Sequence, residues 1–226
     1  MLRRGNAGRR FWLAVAVAAL GAMAYAAYAL AADPITATDD AYDAPTYTMN
    51  QGEQPSFANG GANQHNVTAR DNGPDKRVLF STPTLNGGGS APVNGTQYLT
   101  AGSYTFFCTI HPTTMQATLV VTGNGTPQAR PSATAKLKTK TISKALKGLL
   151  VSFNSTAKVD GVAVTAKLGG ATIGKTTASF FAGTQTVKVK LSKGGKSKLR
   201  KKSSAKVTVT ANIPFGSPAT AKAKLK

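Results

Sequence analysis

Beyond its first 32 residues the chain is a series of short apolar stretches interrupted by Gly, Pro and Asn, and that punctuation limits it to β structure. In Val162-Ala163-Val164, in Val187-Lys188-Val189-Lys190-Leu191 and in Val207-Thr208-Val209-Thr210-Ala211, apolar side chains alternate with Lys or Thr. A period of two places one set on each face of a pleated strand. Asn59-Gly60-Gly61, Asn86-Gly87-Gly88-Gly89 and Asn94-Gly95 are turns by chemistry, because Asn and Gly accept positive φ at small cost. Strand-like stretches are expected over 42–49, around 64–70, and over 77–80, 97–99, 103–108 and 116–121. About seven more fit between Lys136 and Leu225. Short strands with this spacing predict an all-β chain of two successive sandwiches.

Charge divides the same chain. Residues 33–129 hold Arg70, Lys76 and Arg77 against seven acidic residues, whereas residues 130–226 hold 21 basic residues against Asp160 alone. Such a change of sign is what two separate modules look like. The stretch 123–131, Gly-Asn-Gly-Thr-Pro-Gln-Ala-Arg-Pro, reads as the linker between them. The expected organisation is a leader over 1–32, a first sandwich over 33–122, a linker over 123–131 and a basic second sandwich over 132–226. Residues 33–43 are polar and acidic, a tether or a loose first strand.

Residues 1–32 have the parts of an export signal: Arg3, Arg4, Arg9 and Arg10, an apolar run from Phe11 to Ala32, and small residues at Ala29-Leu30-Ala31 suited to cleavage. The run is also long enough for an uncleaved anchor, since a membrane span takes roughly 20 residues. Arg9-Arg10 hints at twin-arginine export. Either way the mature chain is expected outside the cytoplasm. One Cys in the whole chain leaves no intramolecular disulfide.

That Cys has informative neighbours. Residues 102–115 read Gly-Ser-Tyr-Thr-Phe-Phe-Cys-Thr-Ile-His-Pro-Thr-Thr-Met, a strand leading through Cys108 into a loop with His111 and Met115. His65-Asn66-Val67 stands earlier. The chain has only two His and one Cys, and all three fall in these two stretches. Two imidazoles, a thiolate and a weak thioether suit copper, which must alternate between a cuprous form that prefers soft sulfur and a cupric form that prefers nitrogen. Zinc would call for further Cys or His in CxxC or HExxH spacing, and neither occurs. A second copper centre would need further His. With both His in the two stretches there is no Ser-His-Asp set either.

The two stretches resemble the copper-binding loops of the cupredoxins, the plastocyanin and amicyanin family. The resemblance covers roughly residues 42–122. It implies a Greek-key β-sandwich, one copper ion held by His65, Cys108, His111 and axial Met115, and transfer of single electrons with a redox partner protein, without enzymatic catalysis. It also implies that Asn66 ties the two ligand loops together through Thr109. One departure stands out. Three residues separate His111 from Met115, whereas amicyanin-like loops have two and plastocyanin-like loops four. Pro112 stiffens the loop by fixing its own φ and restricting His111 to extended conformations. An alternative with the same ligands is copper sequestration or surface attachment with no redox partner.

The second module has no diagnostic motif and resembles, in strand pattern, small Ig-like modules appended to exported bacterial proteins. Its densest positive stretch is Gly194-Gly195-Lys196-Ser197-Lys198-Leu199-Arg200-Lys201-Lys202. Nucleic-acid binding is not expected of a Lys-rich module with four Phe and no Tyr or Trp. Anionic envelope polymers or a membrane surface are the expected partners of this charge, and a solvated Lys face that keeps the sandwich soluble is the competing reading. A monomer is expected.

Overall fold

The structure, a computed structural model, describes residues 32–226. Apart from Ala32, the expected leader lies outside the described residues. Among the described residues no helix is long and apolar enough to cross a membrane.

The N-terminal half forms β1 (Ile35–Thr38), β2 (Ala41–Tyr42), β3 (Thr46–Gln51), β4 (Ser56–Asn59), β5 (Thr68–Ala69), β6 (Ser90–Pro92), β7 (Gly102–Phe107) and β8 (Gln116–Gly125). They make two sheets, in the orders β2-β1-β4-β6 and β3-β8-β7-β5. β1 runs parallel to β4, and β3 parallel to β8, while β7 and β8 are antiparallel. The strand expected over 116–121 is realised within β8, with Ala117, Leu119 and Val121 buried. They join one core with Ile35, Phe57, Phe80 and Phe106. Phe106 is its hub: the rings of Tyr42, Tyr47 and Phe80 lie 4.9, 6.0 and 6.2 Å from it.

Three local expectations change. Residues 35–38 are a fixed strand, because Ile35 and Ala37 are fully buried although their neighbours are polar. Residues 96–98 form a 3-10 turn, opened by Gly95 at φ 108 and tied by the Thr96 hydroxyl donating to the Val93 carbonyl at 2.9 Å. Residues 77–80 form no continuous strand. Val78 makes an isolated antiparallel bridge with Asn72, closed by the Gly73 amide donating to Arg77 O and the Leu79 amide to Asp71 O.

The C-terminal half forms β9 (Ala133–Leu137), α1 (Ile142–Leu146), β10 (Leu149–Ser155), β11 (Val159–Leu168), β12 (Ala171–Phe180), β13 (Gly183–Val189), α2 (Lys193–Arg200), β14 (Ala205–Asn212) and β15 (Ala219–Leu225). Its sheets, β13-β10-β9 and β12-β11-β14-β15, enclose a second core with Phe153 and Phe180 near its centre, their rings 4.8 Å apart. β14 shows the pattern plainly, burying Ala205, Val207, Val209 and Ala211 and leaving Lys206 exposed. β12 pairs with β11 rather than with β13, which sets this sandwich apart from a constant-type immunoglobulin sheet, where the fourth strand joins the first, second and fifth. Ser192 caps α2, accepting from the Gly195 amide at 3.0 Å.

The stretch expected as a free linker is bonded on both sides. Residues 123–125 continue β8. The Gln128 amide donates to Gln97 O at 2.8 Å, and Arg130 donates to Phe215 O at 3.0 Å and Tyr98 O at 3.4 Å. Phe215 stacks on Tyr98 at 5.8 Å, and its amide donates to buried Asp75 at 3.0 Å. Gly95 is necessary here, since a Cβ on it would stand 2.8 Å from the Phe215 ring.

Candidate metal centre

Two segments distant in sequence deliver the chemistry. His65 lies just before β5, where its backbone exchanges both hydrogen bonds with Leu85, at 3.0 and 2.9 Å. Cys108 follows the last residue of β7, and Met115 precedes the first of β8. The loop between them is closed by its own backbone: Cys108 N donates to Met115 O at 3.1 Å, His111 N to Cys108 O at 3.2 Å and Met115 N to His111 O at 3.0 Å. A hairpin of this kind fixes His111 relative to Cys108 before any ion arrives.

Cys108 Sγ lies 3.9 Å from His65 Nδ1 and 4.0 Å from His111 Nδ1, and the three donor atoms are all within 4.8 Å of one another. Donors bound at about 2.0–2.3 Å to one ion at trigonal angles stand about 3.8 Å apart. The observed separations therefore suit a shared ion better than direct hydrogen bonds. His65 and Cys108 are fully buried, and His111 is partly exposed. Met115 is also fully buried.

The His111 nitrogen that faces away from Cys108 supports the same fit. His111 Nε2 is 3.2 Å from Asp40 Oδ1, so its N–H points to the carboxylate and the Nδ1 lone pair is left toward the thiol. Metal-bound histidines are commonly oriented in this way. His65 Nε2 is buried and has no hydrogen-bond partner among the described residues. Burial pushes the His65 pKa down, the neighbouring His111 adds to this, and Asp40 and Asp39 oppose it. The ring is thereby held in the neutral form that binds metals.

Asn66 fastens the two ligand loops. Its Nδ2 donates to Thr109 Oγ1 at 2.7 Å and Thr84 Oγ1 at 3.0 Å, and its Oδ1 accepts from Thr109 N at 2.9 Å. The tie between Asn66 and Thr109 was legible in the sequence, whereas Thr84 and Asp40 were not. Nor was Tyr42, whose hydroxyl donates to Asn66 O at 2.7 Å. These three lie on segments distant from both ligand stretches, with no motif of their own. Burial, and then the nearby Cys108, raise the Tyr42 pKa far above the usual phenol value, so it remains a donor.

Residues 33–122 match the family of copper-binding proteins that includes plastocyanin and azurin. This segment is a cupredoxin. Among solved structures, the cupredoxin half aligns with a reduced amicyanin variant at 24% identity and an oxidised one at 23%, each with a TM-score of 0.34. Each alignment covers 40% of this chain and 81% of the other. The curated proteins include no match. Copper is the metal of the cupredoxin family, and the sulfur and imidazole donors brought together here suit it.

Proposed function

We propose that the protein is an exported single-copper electron carrier whose cupredoxin half holds the ion through His65 Nδ1, Cys108 Sγ, His111 Nδ1 and, axially, Met115. The observation that carries this reading is convergence: both His and the sole Cys of the chain, with 43 positions between His65 and Cys108, place their donor atoms in one cluster. Members of the family are in general electron carriers rather than enzymes. Bound copper supplies a one-electron couple.

The chain's own residues supply the rest. Burial of His65 and Cys108 excludes water from the thiolate. The bonded loop from Cys108 to Met115 and the Asn66 tie resist movement of the donors, so little reorganisation accompanies a change of charge. His111 offers the partly exposed edge, beside Ile110, a large apolar side chain that is 45% exposed. That edge is where a redox partner protein would approach. The basic stretch with Arg3, Arg4, Arg9 and Arg10, followed by the apolar run from Phe11 to Ala32, fits delivery across a membrane by an export route, with the carrier working outside the cytoplasm.

The test is voltammetry of the copper-loaded protein. A reversible one-electron wave with one electron per bound copper is expected. Copper that binds in stoichiometric amount but does not cycle would replace the carrier reading with sequestration.

A further inference from the structure

We propose that the C-terminal sandwich binds an extended phosphate polyanion in a lysine-lined groove running beside α1 and β13 toward α2. Two adjoining cavities form the groove, of about 340 and 250 Å³. They share Lys147, Gly148 and Lys188 in their walls; Lys138 and Lys144 line the first alone, and Lys190 and Lys196 the second alone. No acidic residue lines either cavity.

The charge is uncompensated. The module's single carboxylate side chain, Asp160, lies 3.8 Å from Lys158, and no lysine of the groove has an ion-pair partner among the described residues. Ammonium groups gathered in this way repel one another, so the bare groove costs stability that an anion would relieve. Local backbone geometry also shapes the site. Gly148 sits at φ 130, and a Cβ there would meet the Lys188 side chain at 2.6 Å. A glycine is therefore required for the Lys188 stem to lie across the wall common to both cavities. Leu150, one of three exposed large apolar side chains, lines the first cavity and lowers the local polarity, which strengthens the attraction between an ammonium and an anion.

The chemistry of the lining indicates the class of ligand. Lysine acts as a point charge and is a common phosphate binder, whereas an arginine fork pairs carboxylate or phosphate bidentately. The cations that line the groove are all lysines. Two joined cavities, rather than one closed pocket, fit successive phosphates along a chain better than a single small anion. This inference does not depend on copper.

The experiment compares two sets of substitutions of equal charge in the full-length protein. Lys144, Lys147, Lys188 and Lys196 are changed together to Gln in one variant. Exposed Lys167, Lys175, Lys222 and Lys224, on the outer face of the other sheet, are changed to Gln in the second. Inorganic polyphosphate is the probe, with retained thermal unfolding of each variant as the check on folding. The groove variant should lose about a hundredfold in affinity and show a shallower salt dependence, and the outer-face variant should change only about twofold to threefold. Should the groove set fail to fold, Lys147→Gln with Lys188→Gln alone should still weaken binding at least about fivefold. Equal losses in the two sets would overturn the proposal in favour of diffuse attraction. Preferential binding to phosphatidylglycerol vesicles, or equal affinity for polyglutamate at matched charge, would overturn it as well.

Discussion

Replacing Asn66 by Ala removes the fastening between the two ligand loops without touching a donor atom. The side chain makes three short hydrogen bonds, to Thr84 Oγ1, Thr109 Oγ1 and Thr109 N, and Asn66 is itself buried. At about 1 kcal/mol net for each bond the loss is about 3 kcal/mol. Thr109 is exposed, so water recovers part of that, leaving about 2 kcal/mol. For a module of this size the melting temperature should fall by about 8–16 °C. Asn66→Asp is the informative companion. The threonine hydroxyls can rotate to donate to a carboxylate and the Thr109 amide keeps its acceptor, so the cost should be about 1 kcal/mol. Tyr42 bonds to the Asn66 main chain and is unaffected by either substitution. Urea unfolding of the copper-free protein is the assay, because bound metal would add stability of its own. A cost below about 0.5 kcal/mol for Ala, or an equal cost for Ala and Asp, would refute the assignment of this network as the fastening.

Met115→Leu should retain copper and raise the reduction potential, because loss of a weak donor that favours the cupric ion shifts a one-electron couple by about 59 mV for each tenfold change in preference; loss of copper would make Met115 a primary ligand, and an unchanged potential would make it a core residue only. Arg130→Ala removes two bonds to carbonyls and a contact with the Tyr98 ring at 5.7 Å, and calorimetry should show the joint weakened by about 1–3 kcal/mol, as two better separated transitions. A single unchanged transition would argue against a joint at Arg130. A fragment spanning residues 130–226 should fold with its own core and, lacking His, Cys and Met, take up no copper under conditions that load the full chain; stoichiometric uptake by the fragment would contradict the assignment.

What could be read from the sequence follows from the range of the physics involved. Alternation acts locally, so β11, β13 and β14 were visible in runs such as Val207–Ala211. The candidate ligands were visible because His65, Cys108 and His111 exhaust the chain's supply of His and Cys. β1 was harder to read, since burial of Ile35 and Ala37 depends on parallel pairing with β4, about twenty residues on. Residues 97–99 looked like a strand because Leu99 ends the stretch, but Gly95 and the Thr96 hydroxyl commit residues 96–98 to a turn. The joint at 126–132 was invisible to hydropathy, since its anchors are a main-chain amide and a guanidinium rather than an apolar side chain. Asp40 shows the same limit: a carboxylate on a turn at φ 54 carries no local sign that it will face His111.

The most direct measurement is a copper titration of the full protein and of Cys108→Ser, followed by visible absorption. The wild-type protein should bind one copper per chain and develop a strong thiolate-to-copper band that gives a blue or green colour, and the Ser variant should show no such band. A Ser variant that keeps both colour and copper would place the site elsewhere and contradict the account.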